Sequence, residues 1–408
     1  MQLDLPPEAE TARAAVRRFL DETLGPDGRR PPDWFSRLAA AGYTAPHWPP
    51  PWGIGASPAE QLVIDEELRR AGVGRPENPI GIGWAGPTLV LAGTEEQQRR
   101  WLPGLLDGSE VWCQLFSEPG AGSDLASLST RAERDGDEWV VDGQKIWTSL
   151  AREARYGILL ARTDPEPARS GSRRPSSGDT PKPPGRHRGI SYFVLDMRSP
   201  GVVIRPIRQM DGGATFNEVF LDGVRIPAGN LVGAENDGWR LARVTLANER
   251  VALSEEGALW GRGPTVRALV DAVRSAQSDG RGALRPIDRQ RLAAIYTEAE
   301  VLRILRLRTV AALVSATAGG SSPEPGPETS VRKALADHHG QKLFDLAVDL
   351  CGADGMLARE NPPQLPGFFP WVFGFLFSPA LTIGGGTAEV QRNIIAERVL
   401  GLPRDPAA

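Results

Sequence analysis

The sequence predicts an α+β protein of three domains: an N-terminal α-helical domain over 1–112, a middle antiparallel β-domain over 113–228 and a C-terminal α-helical domain over 229–408. Three observations carry that prediction. Apolar residues recur at helical spacing through the first domain. From Cys113 the pattern turns to short alternating runs separated by Asp-Gly turns. After Pro227 helical spacing returns, closing at Gly401 and Pro403. A chain of 408 residues that is 40% hydrophobic can bury a sizeable core, which excludes disorder throughout.

In order, Ala9, Ala12, Val16, Phe19 and Leu20 mark a helix from Pro6 to about Leu24, and a second covers roughly 33–41 before Gly42. Ser57-Pro58-Ala59-Glu60 opens a third with a capping box and ends at Gly72, and Thr94-Glu95-Glu96-Gln97 opens a fourth the same way. Strands are expected at 139–141, 145–149, 156–161, 191–196, 202–205 and 216–221. Asp164 to Gly189 is dense in Pro, Ser, Gly and Arg and reads as a mobile surface insertion (164–189), or alternatively a docking segment. Helices then follow at 237–260, 264–277, 287–318, 329–351 and 387–400.

Composition removes several classes of function. The net charge is only −4 and arginine is scattered, so nucleic acid is not expected as a partner. Cys113 and Cys351 make no disulfide framework and Met1-Gln2-Leu3-Asp4 has no signal-peptide character, pointing to the cytoplasm. The uncharged run Phe368 to Gly386 is broken by Pro370 and Pro379, its apolar part shorter than the roughly 20 residues of a membrane span. His47, His187, His338 and His339 lack metal spacing, so no metal is expected.

The chain is organised around Cys113 to Ser149. Cys113-Gln114-Leu115-Phe116-Ser117-Glu118-Pro119-Gly120-Ala121-Gly122-Ser123-Asp124 is an apolar run followed by a turn rich in backbone N–H groups and hydroxyls, suited to close approach of a polar or anionic ligand. It lacks the third glycine of a dinucleotide fingerprint, and no Gly-Lys-Ser/Thr follows. The stretch closes with Gly143-Gln144-Lys145-Ile146-Trp147-Thr148-Ser149. Together these resemble the flavin-binding β-domain of the acyl-CoA dehydrogenase family. The likeness extends through Arg208-Gln209-Met210, Phe216-Asn217-Glu218-Val219 and Val224-Arg225-Ile226-Pro227 to the tail Thr387-Ala388-Glu389-Val390-Gln391-Arg392-Asn393.

The resemblance implies an N-terminal α-helical domain, a β middle and a C-terminal four-helix bundle, holding FAD and dehydrogenating an acyl-CoA thioester to the 2-enoyl-CoA. It implies that Gln114, Phe116, Ser117, Ser123, Trp147, Thr148 and Ser149 line the flavin, with Thr387 and Glu389 reaching it from the tail. Ser123, the segment Leu246 to Arg250 and the Gly385 amide are implied to meet the substrate. Most members place a glutamate before the Gly-Thr pair that opens the tail helix. Here Gly385 stands there, in Ile383-Gly384-Gly385-Gly386-Thr387.

Periodicity offers a replacement. Trp239, Ala242, Leu246, Leu253 and Trp260 fall within about 60° of arc on the helix from Asp237, with Glu249 close beside them. On that evidence Glu249 is either a core carboxylate paired with an arginine such as Arg250, or a base made stronger by burial. The family resemblance implies the second, because isovaleryl-type members carry their base on this helix before an arginine. Glu256 is the weaker candidate, having no such match.

Two departures stand out. Turns with which the family clamps a neighbouring subunit's FAD are reduced here to Gly280-Arg281-Gly282-Ala283-Leu284-Arg285-Pro286 and Asp349-Leu350-Cys351-Gly352-Ala353-Asp354-Gly355, an aspartate replacing glutamine. The expectation is a homo- or hetero-tetramer with a related subunit, Arg281 or Arg285 keeping the first alive, and an electron-transferring flavoprotein as acceptor. The alternatives are a non-catalytic structural subunit and a same-fold flavin oxidase or monooxygenase.

Overall fold

The computed structural model describes residues 6–164, 185–252, 258–260, 263–278, 284–318, 326–356 and 369–404. Its contacts divide the chain into two units, Met1–Ile207 with Ala214–Leu246, and Arg208–Gly213 with Ala247–Ala408.

In the first unit, helices α1 (Pro7–Thr23), α2 (Trp34–Ala40), α3 (Pro58–Arg70), α4 (Gly86–Ala92) and α5 (Glu95–Leu106) precede the sheet. Both expected capping boxes form: Ser57 with Glu60 opens α3, and Thr94 with Gln97 opens α5. Glu67 of α3 is buried against Arg13 and Arg17 of α1, whose guanidinium groups reach it at 2.6 and 2.9 Å. A π-helical turn, Gly81–Ala85, leads directly into α4. Neither it nor α4 shows a helical period in the sequence, because Gly81, Gly83 and Gly86 interrupt the apolar positions.

The sheet contains β1 (Trp112–Leu115), β2 (Arg131–Asp135), β3 (Glu138–Ser149), β4 (Tyr156–Arg162), β5 (Ile190–Asp196), β6 (Val202–Pro206), β7 (Phe216–Pro227) and β8 (Leu231–Val232). Its order is β6-β7-β3-β2-β4-β5-β8, with β1 beside β4. Most pairings are antiparallel as expected. The exceptions are β1 with β4, from Trp112 opposite Tyr156 to Leu115 opposite Leu159, and β2 with β4 at Arg131. Strands β4 and β5 are buried on both faces. One core cluster joins helical Trp101, Leu102 and Leu105 to Trp112, Ile158, Tyr192 and Leu241, and another holds Trp139, Leu159, Phe193 and Val219. The expected strands 139–141 and 145–149 are one strand, bent where its pairing with β7 shifts between Val141 and Gly143 and again between Lys145 and Thr148. Of the 164–189 insertion, 165–184 lie outside the described residues.

Helix α6 (Gly238–Ala252) runs across the division between the units. Helices α7 (Val266–Ser278), α8 (Pro286–Ala318), α9 (Glu328–Cys351), α10 (Phe369–Phe377) and α11 (Ala388–Ile394) belong to the second unit, with a π-helical turn Ile395–Val399 continuing α11. Their shared core includes Leu343, Phe344, Ala347 and Trp371. The helix expected over 237–260 does not reach its last residue. Trp260 has φ +50 and packs edge-on to Phe377, so it cannot belong to the apolar stripe of α6. Among the described residues, no helix is long and apolar enough to cross a membrane.

Candidate active site

The loop after β1 is anchored by a buried acid and a buried base. Glu118, 5% exposed, accepts hydrogen bonds from the Ser129 and Thr130 N–H groups, the Ser129 hydroxyl and the Lys145 ammonium, the last at 2.8 Å. Lys145, wholly buried on β3, also donates to the Phe116 carbonyl at 3.1 Å. Burial pushes the Glu118 carboxyl up, but the Lys145 charge and the four donors outweigh it and leave it at about 2. The ammonium has two acceptors for three protons, so burial prevails there and lowers it to about 8. Ile146 N–H to Ser117 O, 2.9 Å, completes the junction. Gln114, Phe116 and Ser117 are thereby brought beside the stretch ending in Trp147, Thr148 and Ser149.

The pairing shift in β3 has a consequence for the Trp. Trp147 sits at φ +60, and its indole is 58% exposed, touching Phe216 edge-on. A left-handed non-glycine residue costs about 1–2 kcal/mol. A lone tryptophan in a strand is more often core, but this ring is presented at the surface. Next to it Thr148 is buried, and its hydroxyl has no partner among the described residues. Asn217 donates to the Thr148 carbonyl at 2.9 Å.

Exposed Ser123 lies near the loop tip, where Gly120 and Gly122 are open: a Cβ added at either would meet nothing within 4 Å. Nothing in the chain itself demands glycine at those two positions, so the space is free for a ligand. That space, the partnerless Thr148 hydroxyl and the exposed Trp147 ring suit a large planar, polar cofactor such as a flavin. At the far side of the loop, Arg162 of β4 donates to the carbonyls of Leu128, Ala126, Arg186 and Arg188.

Helix α6 buries Leu241, Ala242, Thr245 and Glu249, the last 7% exposed. The line Leu241, Thr245, Glu249 follows the i, i+4 spacing, so Glu249 falls on the buried stripe itself. Of the stripe expected from the sequence, Ala242 is buried, but Trp239 and Leu246 are only half-buried: Trp239 stacks on His187 and Leu246 packs at the edge of the first unit's core. The missed signal was Thr245, whose hydroxyl bonds those of Thr88 of α4 (2.8 Å) and Tyr192 of β5 (3.1 Å) and the Leu241 carbonyl. The Arg250 side chain and Glu256 lie outside the described residues.

In the second unit, Gly385 and Gly386 have φ +66 and +89, conformations that exclude most side chains. A Cβ on Gly384 would lie 2.5 Å from the Trp260 ring. Thr387 caps α11 by accepting from Val390 N–H. Glu389 is exposed and 3.4 Å from Arg392, and its own amide and the Thr387 hydroxyl hold its carboxyl below the usual range. The reduced clamp turns are engaged elsewhere. Arg285 pairs with Asp288 at 2.6 Å, and Asp349 with Arg291 at 2.7 Å, so the aspartate in the glutamine's place faces a cation of its own chain. Arg281 lies outside the described residues. Lys333 and Asp337, a buried pair at 2.6 Å on α9, escaped sequence reasoning.

Comparison with known proteins agrees along the chain. Residues 6–109, 113–224 and 236–400 match the N-terminal, middle and C-terminal domains of acyl-CoA dehydrogenase. The chain belongs to the acyl-CoA dehydrogenase family, flavin-dependent oxidoreductases of lipid metabolism. Among relatives, acyl-CoA dehydrogenase FadE34 of Mycobacterium tuberculosis is 44% identical over 367 residues, 90% of this chain and 46% of that protein, so the chain spans about half its length. Among solved structures, the Tcur3481-Tcur3483 steroid ACAD is 32% identical with a TM-score of 0.75, covering 99% of this chain and 100% of the other. The ChsE4-ChsE5 complex from Mycobacterium tuberculosis is 30% identical with a TM-score of 0.72, covering 99% and 100%.

Proposed function

We propose that this chain removes hydrogen from the α and β carbons of a bulky acyl-CoA thioester, with Glu249 taking the α-proton. The observation that carries this reading is a carboxylate, 7% exposed, on the buried stripe of α6, in a chain whose residue 385 has no side chain. A buried carboxylate is poised for proton abstraction next to a carbonyl. FAD, when bound, supplies the acceptor for the β-hydrogen. Gln114, Phe116, Ser117, Ser123, Trp147, Thr148 and Ser149 would hold it, with Thr387 and Glu389. Ser123, Leu246, Arg250 and the Gly385 amide would meet the thioester, the last aligning its carbonyl oxygen.

A ring-bearing acyl group is favoured by the glycine at 385 and by likeness to the Tcur3481-Tcur3483 steroid ACAD. The partner is a related subunit in a heterotetramer, supported by the occupied Arg285 and Asp349. The enzyme works in the cytoplasm and passes electrons to an electron-transferring flavoprotein. Anaerobic titration of the purified protein, alone and with a co-expressed partner, against a panel of acyl thioesters tests the reaction: flavin bleaching in wild type and none in Glu249→Gln supports it. Equal bleaching in both refutes the base assignment. A homotetramer with one FAD per subunit on size-exclusion with mass analysis refutes the pairing.

A second reading, a structural subunit supporting an active partner, draws on those same two occupied residues. A purified protein without flavin absorbance, alone or with its partner, would select it.

A further inference from the structure

The glycine turn before α11 is held from within by one side chain. Gln391 is fully buried, and its amide nitrogen lies 3.1 Å from the Gly385 carbonyl and 3.2 Å from the Gly386 carbonyl. Its amide oxygen is buried with no partner among the described residues. A Cβ on Gly386 would sit 2.6 Å from that nitrogen, while the Trp260 ring covers Gly384 from the other end of the turn. Two successive peptide planes are thus fixed. Because each peptide is planar and trans, turning both carbonyls toward Gln391 turns the N–H groups of Gly386 and Thr387 the opposite way. Among the described residues, the N–H groups of Gly385, Gly386 and Thr387 donate to no backbone carbonyl. Consecutive free N–H groups in a left-handed turn form a concave site for an electron-rich oxygen.

We propose that Gln391 is a positioning residue which aims the N–H groups of Gly386 and Thr387 at the carbonyl oxygen of the bound thioester, alongside the Gly385 amide. This rests on the reading of the function above. Gln391 does not touch the substrate; it acts through the two carbonyls it holds. Gln391→Leu keeps the volume and removes the donor. Gln391→Glu supplies a donor only while protonated, so its binding should show an ionisation that wild type lacks.

The test is calorimetric binding of cholan-24-oyl-CoA and of the S-cholanyl thioether of CoA, which lacks the carbonyl oxygen, to the FAD-loaded protein with any co-purifying partner. Wild type should prefer the thioester, and Gln391→Leu should lose about tenfold on the thioester and nothing on the thioether. Gln391→Glu should regain thioester affinity as the pH falls. A variant weakened equally toward both ligands has suffered a general structural loss, which overturns the proposal, as does an unchanged thioester preference. If Gln391→Leu fails to fold, a flat pH profile for Gln391→Glu overturns it. Wild type binding neither ligand overturns instead the functional reading on which it rests.

Discussion

Exchanging Glu118 for glutamine should be one of the most damaging isosteric changes available in the β-domain. Four donors converge on the carboxylate, and the Lys145 ammonium is buried with it. Removing one member of such a pair costs about 3–5 kcal/mol, because the other stays charged without compensation. An independent route gives the same size. The Glu118 carboxyl stands at about 2 against an ordinary 4.5, and that difference at 1.36 kcal/mol per pH unit amounts to about 3 kcal/mol. Lys145→Met leaves the carboxylate its Ser129 and Thr130 donors, so it should fall at the lower end. The double variant removes both charges and should cost less than the sum of the singles by about 1–3 kcal/mol. Thermal unfolding followed by near-ultraviolet circular dichroism would show Glu118→Gln melting about 4–6 °C below wild type. A shift within 2 °C, or strict additivity in the double, would refute the argument that this pair holds the loop.

Four further outcomes follow from the structure. As pH falls, the unfolded chain protonates Glu118 first, so the stability it confers is complete above 4.5 and is lost toward 2; Glu118→Gln should flatten that acid limb in a pH series of urea midpoints. Glu249→Gln should slow flavin reduction by about 10²–10⁴-fold in stopped-flow while leaving thioester affinity within a few-fold. Adding Gly385→Glu to Glu249→Gln should not rescue the rate, because residue 385 is at φ +66, where a side chain costs about 1–2 kcal/mol and has no prepared position. Thr245→Val removes the hydroxyl shared by Thr88 and Tyr192, while Thr88 keeps the Trp84 carbonyl, and should cost about 1 kcal/mol, read as a lowered urea midpoint.

What the residues disclosed in advance was the local chemistry. Ser57 with Glu60 and Thr94 with Gln97 announce helix starts because the capping groups lie three residues apart, and the Asp-Gly pairs announce turns for the same local reason. The burial of Glu249 follows from spacing because a helix maps sequence onto faces. The parts that escaped depend on distant partners. Thr245 looked polar until Thr88 and Tyr192 met its hydroxyl, and Trp260 looked helical until Phe377 and Gly384 shaped its surroundings. Lys145 is an isolated lysine in a chain whose other lysines are at 182, 333 and 342, and its partner Glu118 lies on a different segment, so local pattern does not announce the pair. The parallel neighbour of β1 was hidden because β4 lies about forty residues away and no local pattern encodes that pairing.

Arg162 leaves an opening for the protein engineer. Its guanidinium grips main-chain oxygens at Ala126 and Leu128 together with those at Arg186 and Arg188, so the returning end of the β4 to β5 connection is tied to the sheet through backbone atoms, with Arg186 also paired to Asp124 and His187 stacked on Trp239. Every one of these contacts is made at or after Gly185 or before Asp164. A reporter domain or affinity tag spliced between Asp164 and Gly185 should therefore leave the sheet's geometry untouched, making this connection the natural handle for immobilising the protein or watching its assembly.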